Sequence, residues 1–313
     1  MKSGPDDMDE FSIIEKYFAP LAEKYPDALG LKDDAALFKP AEGFDVVVTT
    51  DALVEDIHFF KDDNPEYLAQ KLLGVNVSDL AAMGATPKAY LLTLMLPEGI
   101  NDKWLPSFSE GLAKGCERFG GCLIGGDTTR SKYGLSLSLT AIGEVAQGKA
   151  LKKSGAKPGD KIYVSGTIGD SYLGLQILSG KLDLDSAYLK QRYYKPEPRI
   201  ALGESLVGLA SSCTDISDGL IADLEHICKA STVGAVIRAG DIPLSDDAKN
   251  SGVNIQKLIT GGDDYELLYT VADNIEPPEG AYYIGDIVDG EAVSVLDEEQ
   301  KTIVLESRGY SHF

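Results

Sequence analysis

Cysteine and histidine are both scarce: four and three in 313 residues, with no Cys-x-x-Cys spacing among Cys116, Cys122, Cys213 and Cys228. With no histidines clustered around those thiols, neither a zinc site nor a disulfide framework is expected. Positive charge is also short. Lys and Arg number 29 against 50 Asp and Glu, a formal net charge of -21. A field of that sign repels phosphate backbones and anionic lipid, so neither nucleic acid nor a membrane surface is an expected partner. The longest apolar run, around Leu91 to Leu96, falls far below the ~20 residues that cross a bilayer. The opening MKSGPDDMDE is polar and lacks a signal-peptide pattern, and the expected compartment is the cytoplasm.

Common nucleotide signatures are missing as well. Gly143 to Lys149 reads GEVAQGK, but Ala150 stands where a phosphate-binding loop needs a hydroxyl, and no apolar helix follows. The glycine-rich loop and His-Arg-Asp set of protein kinases are absent.

What is present is a chain that is 43% hydrophobic and long enough for two domains. Residues 9 to 25 have helical apolar spacing, with Asp9 as a candidate N-cap and Pro20 as a candidate kink. Val46-Val47-Val48 reads as a buried strand ending at Thr49-Thr50-Asp51, and residues 66 to 83 as a helix containing Asp79. Leu105, Phe108, Leu112, Cys116 and Phe119 mark a helix over 102 to 119. Cys122-Leu123-Ile124 then forms a short strand ending at Gly125-Gly126-Asp127. Residues 135 to 145 alternate Leu against Ser and Thr, the period of a half-buried strand. The turn-rich segment 152 to 160 is the domain boundary, which gives domains 1–150 and 151–313. Beyond it come helices after Gly169, near 199 to 211 and after Asp218, a break at Pro196-Glu197-Pro198, and several strands between 265 and 305. Both halves therefore mix helix and strand, an α/β (α+β) fold.

Asp recurs beside small residues at expected element ends or loops: Asp33-Asp34, Asp51, Asp127, Asp215 with Asp218, and Asp263-Asp264. Asp79 adds one inside a helix, among Val75, Val77, Leu80, Ala81 and Ala82, where a solvated face would carry more charge. Converging carboxylates repel unless cations compensate them, and scattered Asp with the hydroxyls of Thr49 and Thr50 suits magnesium. Any one of these aspartates taken alone reads more readily as a cap or turn residue, so the argument rests on the set. His58 beside Phe59 and Phe60 also fits a core histidine, Ser217 a helix N-cap, and Tyr310 a packing aromatic.

Eight segments together resemble the thiamine-monophosphate kinase family, within the superfamily of aminoimidazole ribonucleotide synthetase. They are KDDAA (32 to 36), TTDALVEDIHF (49 to 59), NVSDLAAMGATP (76 to 87), GGDTTRS (125 to 131), SGAKPGD (154 to 160), TDISDGL (214 to 220), GGDDYELLY (261 to 269) and GYSHF (309 to 313). The resemblance implies ATP-dependent phosphorylation of thiamine monophosphate. It implies magnesium ligands at Asp33, Thr49, Thr50, Asp51, Asp79, Asp127, Asp215 and Asp218, with Asp51, Asp127 and Asp218 central to catalysis. Gly126, Asp127, Lys153 and Ser217 are implied near ATP, and His58, Asp263 and Tyr310 at the thiamine end. It also implies an N-terminal domain that binds ATP and magnesium and dimerises through its sheet into a barrel-like interface, with a C-terminal α/β domain closing the cleft. Lys32, Lys153 and Asp263 depart from the family's usual Gly, Arg and Glu. The Lys153 exchange gives up a bidentate phosphate contact. Two rival readings are another enzyme of the superfamily and a non-catalytic magnesium- or nucleotide-binding module. Selenophosphate synthetase carries a reactive cysteine near its start, whereas the first cysteine here is Cys116.

Overall fold

The computed structural model describes residues 10–100 and 103–311, so the candidate cap Asp9 lies outside the described residues. Backbone contacts divide the chain into two units. One is the chain up to Leu80 with Thr86–Glu144; the other is Ala81–Ala85 with the chain from Val145 onward.

The first unit opens with α1 (Glu10–Ile13) and α2 (Ala19–Ala22), joined by a wider π-helical turn at Ile14–Phe18. Pro20 explains that turn, because without an N–H it cannot donate to the carbonyl four residues back. Next come β1 (Phe44–Val54), α3 (Pro65–Ala82), β2 (Thr86–Pro97), α4 (Trp104–Phe119), β3 (Cys122–Ser131) and β4 (Ser136–Ala146). The four strands are ordered β1-β4-β2-β3, with β3 parallel and β4 antiparallel to β2. Helix α3 is buried around nearly its whole circumference. Helix α4 buries one stripe, Trp104, Leu105, Phe108, Leu112 and Phe119. Its Gly111 and Gly115 lie on that side, and a Cβ on either would fall 2.3 Å from the Glu66 carbonyl oxygen or 2.4 Å from Leu73, so close helix packing excludes side chains there.

Two expectations need correction here. Strand β1 does not end at Thr49-Thr50-Asp51 but runs to Val54, as its β-branched sequence favours. Strand β3 likewise continues past Asp127 to Ser131, held by pairing with β2 in which Thr93 faces Asp127. Asp51 and Asp127 are therefore strand residues.

The second unit comprises β5 (Lys161–Val164), α5 (Asp170–Leu178), α6 (Ala187–Tyr194), α7 (Ile200–Leu206), β6 (Ala210–Asp215), α8 (Leu220–Ser231), β7 (Gly234–Arg238), α9 (Asp246–Asn250), α10 (Ile255–Thr260), β8 (Leu267–Val271), β9 (Tyr282–Val288) and β10 (Val293–Leu296). Its six-stranded sheet has the mixed order β10-β7-β9-β5-β8-β6. Ile162, Val164, Ile216, Leu220, Leu224, Ala235, Ile237, Leu268 and Ile284 belong to its largest core cluster. The helix expected near 199 to 211 stops at Leu206, since Val207 turns extended and Gly208 takes a φ of 82° before β6 begins. Among the described residues both sheets stay open, so neither forms a closed barrel, and no helix is long and apolar enough to cross a membrane.

Candidate active site

In the first unit β1 and α3 bring three of the expected residues together. Alternation along β1 half-buries Thr49 and Asp51 and turns Thr50 to the open face. Thr49 Oγ1 donates to Asp79 Oδ2 at 2.5 Å. The Asp51 main-chain N–H donates to Oδ1 of the fully buried Asn76, whose own Nδ2 donates to the Leu72 carbonyl. Burial, and then the charge of Asp79, push the Asp51 carboxyl up to about 6. Thr50 is engaged elsewhere: its hydroxyl donates to the Leu139 carbonyl oxygen at 3.1 Å and accepts from Thr140 Oγ1.

Asp127 stands on β3, at the edge of the sheet opposite β1. The preceding Gly126 has a φ of 149°, and a Cβ there would sit 1.8 Å from the Leu92 carbonyl oxygen. Backbone cannot step aside as a side chain can, so Gly126→Ala should shift β3 and cost about 1–3 kcal/mol. A melting curve beside steady-state rates checks this, with both stability and activity reduced. Asp33 is exposed, and its Oδ1 accepts the Asp34 N–H. His58 lies in the loop after β1, where its Nδ1 accepts the Val54 N–H at 3.0 Å. The neutral ring must then carry its proton on Nε2.

In the second unit the expected residues meet where β6 ends at Asp215 and the loop 216 to 219 leads into α8. Asp223, in the first turn of α8, accepts the N–H groups of both Ser217 and Asp218 at 3.0 Å and so fixes the loop's shape. It is 2% exposed. Burial, then the Asp218 charge, push its carboxyl up to about 7 against the opposing pull of those N–H groups and Lys153. Asp218, Asp223 and His226 offer ligand atoms within 4.8 Å of one another. The segment carrying Lys153 is tied to the far end of α8, where Ser231 Oγ donates to the Lys153 carbonyl and accepts from Gly155 and Ala156. The Asp263 N–H donates to the Ser217 carbonyl, and the Tyr310 N–H to the Asp218 carbonyl. Asp215, Ser217, Asp218, Asp263 and Tyr310 thus share one neighbourhood.

Asp223 and His226 were not among the expected residues. Asp223 was available as an acidic residue in the first turn of an expected helix, with His226 three residues later on the same face.

This chain of two α/β units matches the AIR synthase related proteins in both halves. Their N-terminal domain model matches residues 32–145 and their C-terminal domain model residues 157–298. Within that class the chain belongs to the thiamine-monophosphate kinase family. The thiamine-monophosphate kinase of Escherichia coli O157:H7 is 41% identical over 97% of this chain and 98% of its own length. The crystal structure of the Stenotrophomonas maltophilia K279a thiamine-monophosphate kinase is 38% identical, with a TM-score of 0.81 over 92% of this chain and 96% of that one. AaThiL complexed with AMPPCP and TMP is 32% identical, with a TM-score of 0.80 over 98% of this chain and all of that one.

Proposed function

We propose that this chain transfers the γ-phosphoryl group of ATP directly to the phosphate of thiamine monophosphate, giving thiamine diphosphate and ADP. Full-length identity to curated thiamine-monophosphate kinases supports the substrates, as does the related ThiL chain complexed with AMPPCP and TMP. The observation that carries the chemistry is the Thr49–Asp51–Asp79 group. Two neighbouring carboxylates there offer only hard oxygens, and burial followed by the charge of Asp79 pushes the Asp51 carboxyl up to about 6. That donor set fits magnesium.

Asp33, Thr49, Asp51, Asp79 and Asp127 in the first unit, and Asp215 and Asp218 in the second, serve as the magnesium ligands. The Thr50 hydroxyl, also expected among the ligands, is engaged on the open face with Leu139 and Thr140 and is left out of this set. Bound magnesium supplies charge neutralisation, which the reaction needs because two unit charges ~4 Å apart repel by about 4 kcal/mol in a surface-like dielectric. The acceptor phosphate has a second pKa near ~6 and needs no general base. One of its oxygens attacks the γ-phosphorus in line while the bond to the β,γ-bridging oxygen breaks, and ADP departs with that electron pair. No phosphoenzyme forms. Gly126 lets the backbone come close to the nucleotide, Lys153 offers its charge to the phosphates, and Ser217 offers a hydroxyl. His58 presents its Nε2–H to a ring nitrogen of the neutral aminopyrimidine, and Asp263 its carboxylate and Tyr310 its ring to the cationic thiazolium of the acceptor. A supply of ATP fits a cytoplasmic location.

The test mixes the protein with ATP, magnesium and thiamine monophosphate and follows thiamine diphosphate, with free thiamine as the control acceptor. Binding of both ligands without product would support a binding module instead.

The open face of the first sheet supports a homodimer. Phe44, Val46 and Val48 stand exposed in alternation on β1, and Val48 is 61% exposed. An apolar strip of that kind on a sheet edge is a pairing surface. Val48→Arg should convert a dimer to a monomer in sedimentation equilibrium, and a wild-type chain that sediments as a monomer would refute the assignment.

A further inference from the structure

The turn that carries Asp263 has an unusual backbone. Asp263 and Tyr265 both take left-handed conformations, with φ of 69° and 52°, though each carries a Cβ. Such residues persist only where the surroundings dictate them. On one side, the N–H groups of Asp263 and Tyr265 donate to the carbonyls of Ser217 and Ile216, each at 2.8 Å. Gly262 lies so close to that loop that a Cβ would fall 2.3 Å from the Ser217 carbonyl oxygen. On the other side, the residue between the two strained positions, Asp264, points into the core and is 1% exposed. Both of its carboxylate oxygens accept the N–H of Gly169, the N-cap of α5, at 3.0 and 2.8 Å. Buried Arg192 donates to the Asp264 main-chain oxygen at 3.1 Å. Finally, Tyr265 Oη donates to Asp263 Oδ1 at 3.1 Å, which fixes the side chain that the turn presents.

A carboxylate this deeply buried is costly, and a simple turn does not need one. We propose that Asp264 is a positioning residue of the phosphotransfer site. Anchored on Gly169 and Arg192, it imposes the left-handed turn that aims Asp263 at the cationic end of thiamine monophosphate, and Tyr265 locks the Asp263 carboxylate in that direction. This rests on the reading of Asp263 as an acceptor-binding residue, and goes beyond it by naming what holds Asp263 in place.

The test compares wild type, Asp263→Ala, Asp264→Asn, Tyr265→Phe and the Asp263→Ala/Asp264→Asn pair, with each substrate varied in turn. Asp264→Asn should raise KM for thiamine monophosphate about tenfold and leave KM for ATP within about twofold, a split that general loss of stability does not produce. Tyr265→Phe should raise the same KM about threefold. The pair should bind the acceptor no worse than Asp263→Ala alone, because a residue acting only through Asp263 has nothing left to position. The proposal is overturned if Asp264→Asn folds and leaves that KM unchanged while Asp263→Ala raises it, or if the two effects multiply in the pair. Should Asp264→Asn fail to fold, an unchanged KM in Tyr265→Phe overturns it. An Asp263→Ala enzyme with normal acceptor binding removes the role of Asp263 itself, and the device with it.

Discussion

Asp51→Asn should lower kcat by about 10³-fold or more while the protein stays folded, a loss of ~4 kcal/mol in transition-state stabilisation. The exchange replaces the charged ligand proposed for magnesium with a neutral amide of the same shape. Its neighbours keep their bonds. The Asp51 main-chain N–H still donates to Asn76, and Thr49 still donates to Asp79. The same variant makes a second, independent prediction about pH. In the metal-free protein the folded Asp51 carboxyl titrates at about 6 against an ordinary value of 3.8, so the folded state binds its proton more tightly than the unfolded chain does. The contribution of this group to metal-free stability should therefore be fully present below pH ~4 and be lost as pH climbs through ~6, by at most ~3 kcal/mol. Asp223 contributes in the same direction up to about 7. Urea unfolding at pH 5 and 7.5 should show a shallower fall in Asp51→Asn than in wild type. Magnesium should stabilise wild type more at the higher pH. A variant with near-normal kcat would remove Asp51 from the site.

The parts of this fold that sequence could announce are those whose signal is local. The alternation of Leu with Ser and Thr gave β4, the spacing of Leu105, Phe108, Leu112 and Phe119 gave α4, and a lone Asp79 in an apolar helix pointed at the residue that Thr49 contacts. Where strands end is less local. Gly125 and Gly126 look like a stop, yet β3 continues because β2 supplies a parallel partner through Pro97. Alternation alone also puts Thr50 on the opposite face from Thr49 and Asp51, and that followed from the sequence only once β1 was known to run through all three. The resemblance to a known family named the loop of Asp215, Ser217 and Asp218. The residue that shapes the loop, Asp223, was missed because a carboxylate in a helix's first turn ordinarily means only a favourable interaction with the helix end. Least legible of all was which charges pair across long separations, as the buried network around Glu266 illustrates.

Glu266→Ala should destabilise the protein by about 3–5 kcal/mol, although the residue lies outside the proposed chemistry. Its carboxylate is 1% exposed and accepts from Arg192 Nη2 at 2.9 Å, from Arg199 Nη2 at 2.6 Å and Nε at 2.7 Å, and from Ser165 Oγ at 2.5 Å. Arg199 is about one-third exposed and can turn to water when the carboxylate is lost. Arg192, at 7% exposed, cannot, and its Nε already has no partner among the described residues. The cost of Glu266→Ala is therefore mostly that of a stranded guanidinium rather than of a lost attraction, which a second variant can separate. If so, Glu266→Leu combined with Arg192→Met, which removes both charges and keeps the volume, should be markedly more stable than Glu266→Ala alone. Acceptor binding should nevertheless stay impaired in that double variant, since Arg192 also donates to the Asp264 carbonyl beneath Asp263. Urea unfolding at pH 7 and the KM for thiamine monophosphate read the two effects separately. A Glu266→Ala protein within about 1 kcal/mol of wild type would mean that Arg192 finds water or another acceptor, and that no guanidinium is stranded.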